Sequence, residues 1–209
     1  LVFGRLQQQA LKASLAEHFG EQVPVELAMT YGEPSMETAG KALRDAGVDR
    51  ILVLPLYPQF SRSTTAAVFD RLAQALKPCP HLPELRLIRD YHDHPAYIDA
   101  LANSVRDHWA RHGGARGKLL MSYHGIPQRY ADNGDPYPLH CETTSRLVAE
   151  ALGLGEDEWF MSYQSRFGRE EWLKPYTDET MKSLPAQGIK SVQVVCPGFS
   201  ADCLETIEE

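Results

Sequence analysis

Apolar positions along this chain recur in two alternating rhythms. Between residues 3 and 19, Leu6, Ala10, Leu11, Leu15 and Phe19 make a stripe at helical spacing, and Gly20 supplies a stop, so a helix is predicted over 3–19. Residues 23–29 form a short β-rich run. Pro34 in a first turn and Gly47 after the end bracket a helix over 35–46. Residues 50–57, RILVLPLY, are almost continuously apolar, which predicts a strand buried on both faces. A helix over 65–77 stops at Pro78, and a strand follows at 85–88. Pro95 opens a long helix to about residue 112, with Tyr97, Ile98, Leu101, Val105 and Trp109 on one side. Residues 118–123 read as a strand, and the Gly/Pro-rich stretch 125–138 as a loop. A helix over 143–152 closes at Gly153, and strands at 158–163 and 190–196 flank a further helix.

Strands alternating with helices predict an α/β fold with parallel sheets flanked by helices. An internal echo supports two similar halves. Met29-Thr30-Tyr31, then Gly47-Val48, an apolar run and Pro58-Gln59-Phe60-Ser61 match Met161-Ser162-Tyr163, Gly188-Ile189, an apolar run and Pro197-Gly198-Phe199-Ser200. A third Met-Ser-Tyr, at 121–123, ends the strand before His124. Ligands of open parallel sheets bind beyond the carboxyl ends of the strands, so the residues just after these strands are the candidates for chemistry.

Composition removes several classes. With 43% apolar and 23% charged residues, the 209-residue chain is neither a disordered tail nor a coiled coil. A net charge of −7 and the absence of a Lys/Arg run argue against nucleic acid as a partner. No apolar run approaches the ~18 residues of a membrane span, which leaves a peripheral membrane contact open. The cysteines at 79, 141, 196 and 203 form no C-x-x-C pair, and a chain of this size can bury a core without disulfides. They read as reduced thiols of a cytoplasmic compartment. The chain starts at Leu1 and stops at Glu209 within a helical pattern, and is expected to be a piece of a longer protein.

No phosphate loop, G-x-G-x-x-G, G-x-S-x-G or H-E-x-x-H occurs. His92-Asp93-His94 has a metal-like look, but Asp93 or His94 as the cap of the helix opened by Pro95 explains it better. Cys79 and His81 have no matching second pair. His124 differs. It follows a strand directly, and Gly125-Ile126-Pro127 bends the chain away; a neutral imidazole there can accept a proton or bind a metal, or be structural. Ser200 or Asp202 can cap a helix after the Pro197 turn, with Glu205 in its first turns and Glu208 and Glu209 on the same face. These carboxylates either complement the helix dipole or pass a divalent cation along.

Several separated motifs then converge on one family. Tyr57-Pro58-Gln59-Phe60-Ser61, Ser122-Tyr123-His124-Gly125-Ile126-Pro127 and Ser200-Ala201-Asp202-Cys203-Leu204-Glu205-Thr206 resemble those of ferrochelatases, especially of the proteobacterial type. So do Arg129-Tyr130-Ala131-Asp132, Gly134 to Pro138, and Gln164-Ser165-Arg166-Phe167-Gly168 through Trp172-Leu173 to Thr177-Asp178-Glu179-Thr180. The resemblance covers nearly the whole chain. It implies a chelatase-like fold of two Rossmann-like halves with a cleft between them, drawn here as 1–92 and 93–209, each lacking an end. It implies insertion of ferrous iron into protoporphyrin IX, the last step of haem biosynthesis, with release of two protons.

On the same resemblance, His124 and Glu205 match the family's active-site histidine and glutamate, on opposite sides of the porphyrin, and both are candidate metal ligands. Glu209 matches the next carboxylate of the metal route. Whether His124 is chiefly base or ligand stays open. Arg62 and Arg166 are candidate donors to the two propionates, since guanidinium suits carboxylate best; solvated surface is their ordinary alternative. The expected partners are protoporphyrin IX and Fe2+, with no cofactor beyond the iron substrate. An iron–sulfur cluster is not expected, because Arg62 occupies the position where some members carry a cluster cysteine. Cys203 stands where many relatives have histidine. The alternatives are a chelatase for another metal or tetrapyrrole, or a non-catalytic tetrapyrrole-binding protein.

Overall fold

The structure is a computed structural model and describes residues 1–114 and 116–207. The chain groups into two compact units. One comprises residues 1–55 and 63–89, the other residues 56–62 and 90–209. Division by sequence order at 92/93 therefore differs from the grouping by contacts mainly at residues 56–62.

The first unit opens with α1 (Val2–Phe19), which ends at Gly20 in the left-handed conformation that a residue without Cβ adopts freely. Residues 23–29 do not pair as a strand. Met29 makes one parallel bridge to Ser35, and the Gln8 side-chain amide donates to the Val25 carbonyl at 2.7 Å, so a side chain rather than a ladder ties this stretch down. Pro34 precedes the next helix instead of lying in its first turn. The Ser35 hydroxyl accepts the Thr38 N–H at 3.2 Å and caps α2 (Met36–Asp45). Strand β1 (Arg50–Val53), helix α3 (Thr65–Leu76) and strand β2 (Glu84–Leu87) complete the unit.

The strands β1 and β2 pair in parallel, Arg50 opposite Glu84 through Val53 opposite Leu87. The expectation of a strand over 50–57 is corrected in its bounds: the ladder stops before Pro55, and in this chain Leu52 is exposed. Met36, Val68 and Ala75 form a small core on the other face.

The second unit is the larger. Its elements are α4 (Pro95–Arg111), β3 (Lys118–His124), α5 (Gln128–Asp132), α6 (Tyr137–Leu152), β4 (Trp159–Gln164), α7 (Thr177–Ser183), a 3-10 turn (Pro185–Gln187), β5 (Val192–Val195) and α8 (Leu204–Ile207). The three strands form a parallel sheet in the order β4–β3–β5. Leu119, Met121 and Tyr123 of β3 pack with Ile98, Val105 and Trp109 of α4 and with Cys141 and Val148 of α6 in one core. As the central strand, β3 carries the continuous burial that was expected of residues 50–57.

The stretch 125–138 is not all loop. It contains α5, and α6 begins at Tyr137 rather than at Thr143. Pro136 and Pro138 sit at a helix start, where a missing N–H costs nothing. The Asp135 carboxylate accepts the Tyr137 N–H at 3.1 Å, the Ser61 hydroxyl at 2.9 Å and the Arg62 N–H at 2.8 Å. Gln59 Nε2 donates to Thr144 Oγ1 at 3.1 Å, and the Phe60 N–H to His140 Nδ1 at 3.2 Å. These bonds explain why residues 56–62 group with the second unit, and what the Pro-Gln-Phe-Ser turn does there.

Candidate active site

From β3 the chain moves to β4 on one side, then passes over to β5 on the other. The carboxyl ends of β3 and β5 therefore flank the topological switch point, the place where open α/β sheets bind ligands. His124 is the last residue of β3, and Glu205 lies in α8, the helix that follows β5. Both line a cavity of about 450 Å³ together with Gln164, Arg166, Phe167 and Asp178.

The His124 ring is oriented by its own turn. Nδ1 lies 2.6 Å from the Gly125 carbonyl oxygen. A carbonyl only accepts, so Nδ1 carries the proton, and in the neutral ring the lone pair is on Nε2. Nε2 faces the Glu205 carboxylate at 3.9 Å. The strand end is held from behind by the buried Tyr137, whose hydroxyl donates to the His124 carbonyl at 2.9 Å. Burial, reinforced by Cys141, pushes the Tyr137 phenol well above its usual range, so this donor keeps its proton. Trp172 and Phe199 lie 6.1 and 6.4 Å from the His124 ring centre and give the site aromatic walls.

The separation of His124 and Glu205 constrains the chemistry. A flat macrocycle between them needs about 7 Å, twice the ~3.5 Å contact distance. At 3.9 Å the two groups are beyond direct hydrogen-bond distance but close enough for one cation to bridge them, and they must part by about 3 Å to flank a ring. Glu209, the expected next carboxylate, lies outside the described residues, as does Glu208. Neither Ser200 nor Asp202 caps α8 as expected. The Ser200 hydroxyl donates to the Leu56 carbonyl at 2.9 Å, and Asp202 accepts from the Thr206 hydroxyl at 3.2 Å.

The two arginine candidates separate. Arg166 lines the cavity, pairs with Glu179 at 2.9 Å and Asp178 at 3.5 Å, and lies over the Tyr176 ring at 4.0 Å. Partial burial works to raise the Asp178 carboxyl; the Glu179 N–H, Lys182 and Arg166 outweigh it and hold Asp178 below the usual range. Ser165, just before, has φ 66°, a left-handed conformation for a residue with a Cβ. Arg62 is exposed and is not among the residues lining this cavity; its described tie is the backbone bond to Asp135.

The cap expected before Pro95 is His94, which accepts the Ala96 N–H at 3.3 Å. No spacing signal in the sequence joined His92 to His140, yet their rings stack at 3.6 Å, within 3° of parallel, with His92 Nδ1 at 3.1 Å from Asp90. Asp90, His92 and His140 resemble a metal triad by distance. The chemistry disagrees. His140 Nδ1 accepts the Phe60 N–H, so neutral His140 carries its proton on Nε2 and has no second lone pair to offer. All four cysteines are free thiols. Burial pushes Cys196 up to about 11 and Cys141 well above the usual thiol range.

Comparison with known proteins places this chain in a family. The family model named Ferrochelatase matches residues 1–209. Curated ferrochelatases of Marinomonas sp. (strain MWYL1) and Vibrio cholerae are 58% and 59% identical over the whole chain. That of Aeromonas hydrophila is 57% identical over 209 residues. The chain spans 63% of the length of the first two relatives and 64% of the third. Among solved structures, SirB from Bacillus subtilis with Fe3+ matches 91% of the chain and 69% of its own, at a TM-score of 0.63 and 16% identity, which shows a shared chelatase-like α/β fold. No described helix is long and apolar enough to cross a membrane. A family match along the whole chain and relatives near 57–59% identity agree: the chain belongs to the ferrochelatase family.

Proposed function

We propose that the protein to which this chain belongs inserts ferrous iron into protoporphyrin IX to form protohaem, with His124 and Glu205 at the reacting centre. The observation that carries the reading is the His124 Nε2–Glu205 Oε2 approach of 3.9 Å at the switch point of the sheet, in a chain matched end to end by the ferrochelatase family. Metallation requires removal of two pyrrole N–H protons and of the water shell of the iron. His124 presents an Nε2 lone pair for a proton or the metal, because Nδ1 is committed to Gly125. Glu205 supplies a carboxylate that can take iron from water and neutralise the charge the histidine gains.

Two further residues fit the reading. Arg166 is the better placed propionate partner, since it lines the cavity, though binding must draw it from Asp178 and Glu179. Phe167 is 74% exposed and its ring centre lies 5.1 Å from that of Trp172, an apolar edge for a flat ring. Glu209 is proposed as the next carboxylate along the metal route. The SirB structure, solved with iron, is consistent with iron as the metal of this fold.

Anaerobic incubation of the full-length protein with Fe2+ and protoporphyrin IX, followed by haem absorbance, tests the reading. The expected result is enzyme-dependent haem formation that Glu205→Gln cuts steeply, by about 10²–10⁴-fold. Turnover only with another metal or tetrapyrrole would move the protein to a different chelatase class, and porphyrin binding without turnover would make it a carrier.

A further inference from the structure

Gln164 is the last residue of β4 and lies opposite His124 in the β3–β4 ladder, with 6% of its surface exposed. A buried primary amide needs partners at both ends. Gln164 Oε1 accepts the Ser122 hydroxyl at 2.6 Å, and Nε2 donates to the Glu205 backbone carbonyl at 2.5 Å. Because the Glu205 carbonyl only accepts, the amide nitrogen must face it, and the hydroxyl takes the oxygen end. The Gln164 backbone carbonyl accepts the Gly125 N–H at 2.9 Å. One residue therefore grips the strand that presents His124, the turn that follows it, and the helix that presents Glu205.

The grip is braced from beneath. Ser122 Oγ lies 3.0 Å from Thr177 Oγ1, which lies 2.7 Å from Ser162 Oγ, so hydroxyls of β3, α7 and β4 fix the oxygen end of the amide. On the other side, α8 is described over Leu204–Ile207 and carries Glu205 in its first turn. Among the described residues, Thr206 bonds within the same turn, to Cys203 and Asp202, and these bonds do not attach the turn to the sheet. The Gln164 amide does.

We propose that Gln164 is a positioning residue which sets the distance and facing of His124 and Glu205 by tethering the Glu205 backbone to the end of β4. This rests on the reading of that pair as the metallation centre. It predicts a loss confined to turnover, because the amide is spent on the protein rather than on the porphyrin.

The test uses the full-length protein with Fe2+ and protoporphyrin IX. Gln164→Met keeps length and removes both hydrogen-bonding ends. Gln164→Glu keeps the acceptor for Ser122 and removes the donor to Glu205. Each is expected to lower kcat by about 10–100-fold and to leave the porphyrin KM within about twofold, since small misplacements of reacting groups act on turnover. Placed on Glu205→Gln, each should cost less than about threefold more, because a residue acting through another adds little once that one is lost. Hydrogen exchange over residues 203–207 should quicken in both variants, whatever the turnover. Wild-type kcat in Gln164→Glu, full multiplication of losses in the double variant, or unchanged exchange would overturn the assignment. If Gln164→Met does not fold, Gln164→Glu decides. Absence of wild-type metallation would instead sink the functional reading, while hydrogen exchange still decides the tether.

Discussion

Gly125 directly follows His124, is buried, and has no room for a side chain. A Cβ built there would lie 3.0 Å from Trp172 Cε3 and 3.1 Å from the Gln164 carbonyl oxygen, with Tyr163 Cβ at 3.6 Å. Carbon–carbon contacts are comfortable at about 3.5–4.0 Å, so one wall must retreat by at least about 0.5 Å. The Gln164 carbonyl cannot, because it accepts the Gly125 N–H at 2.9 Å across the ladder. Trp172 is the wall that moves, and it is 5% exposed and packed beside His124. Overpacking of this kind costs about 1–3 kcal/mol. For a chain of this size that is roughly 2–12 °C in Tm, at about 2–4 °C per kcal/mol. The displaced wall also turns the imidazole, and a misplacement approaching 1 Å lowers turnover by up to about 100-fold. Gly125→Ala in the full-length protein should therefore lower both Tm, followed by calorimetry, and kcat, followed by haem absorbance. A variant within about 1 °C and twofold of wild type would show that the wall is not closed as described.

Other substitutions separate the roles of neighbouring groups. Tyr137→Phe removes the buried donor to the His124 carbonyl and should cost about 1–3 kcal/mol in denaturant titration, with a fall in kcat; unchanged stability would mean that the bond is not made. Arg166→Ala should raise the porphyrin KM while Arg62→Ala leaves it near wild type, in steady-state assays; the reverse order would place the propionates elsewhere. At pH 8, iodoacetamide mass shifts should appear at exposed Cys203 and not at Cys141 or Cys196 of the folded protein. Folded Cys196 keeps its proton to about 11, whereas the unfolded thiol loses it near 9; its contribution therefore lowers stability as pH rises through that window, and a flat profile there would contradict the burial of Cys196.

Much of the second unit was legible because burial and periodicity coincide there. The strands that carry Met121-Ser122-Tyr123 and Met161-Ser162-Tyr163 run side by side in register, and Pro95 opens α4 with His94 as its cap. The first unit was harder. Residues 50–57 carry the apolar run of a central strand, but the ladder with β2 ends at Val53, because Pro55 has no N–H to donate to it. The start of α6 was missed because Pro136 and Pro138 look like loop residues, while Asp135, which binds the Tyr137 N–H, recruits Ser61 from far away in the chain. For the site, the position after a strand pointed to His124, and family resemblance pointed to Glu205. Gln164 opens one of the motifs that carry the resemblance, but nothing in the motif gave its amide a role, because the contacts it makes follow no spacing rule.

The most direct test of the central claim is metallation by the full-length His124→Ala protein. Anaerobic haem formation from Fe2+ and protoporphyrin IX is measured alongside porphyrin binding by fluorescence. If Nε2 of His124 takes the proton or the metal, turnover falls by about 10²–10⁴-fold while porphyrin affinity changes little. Near-normal turnover by that variant would contradict the account.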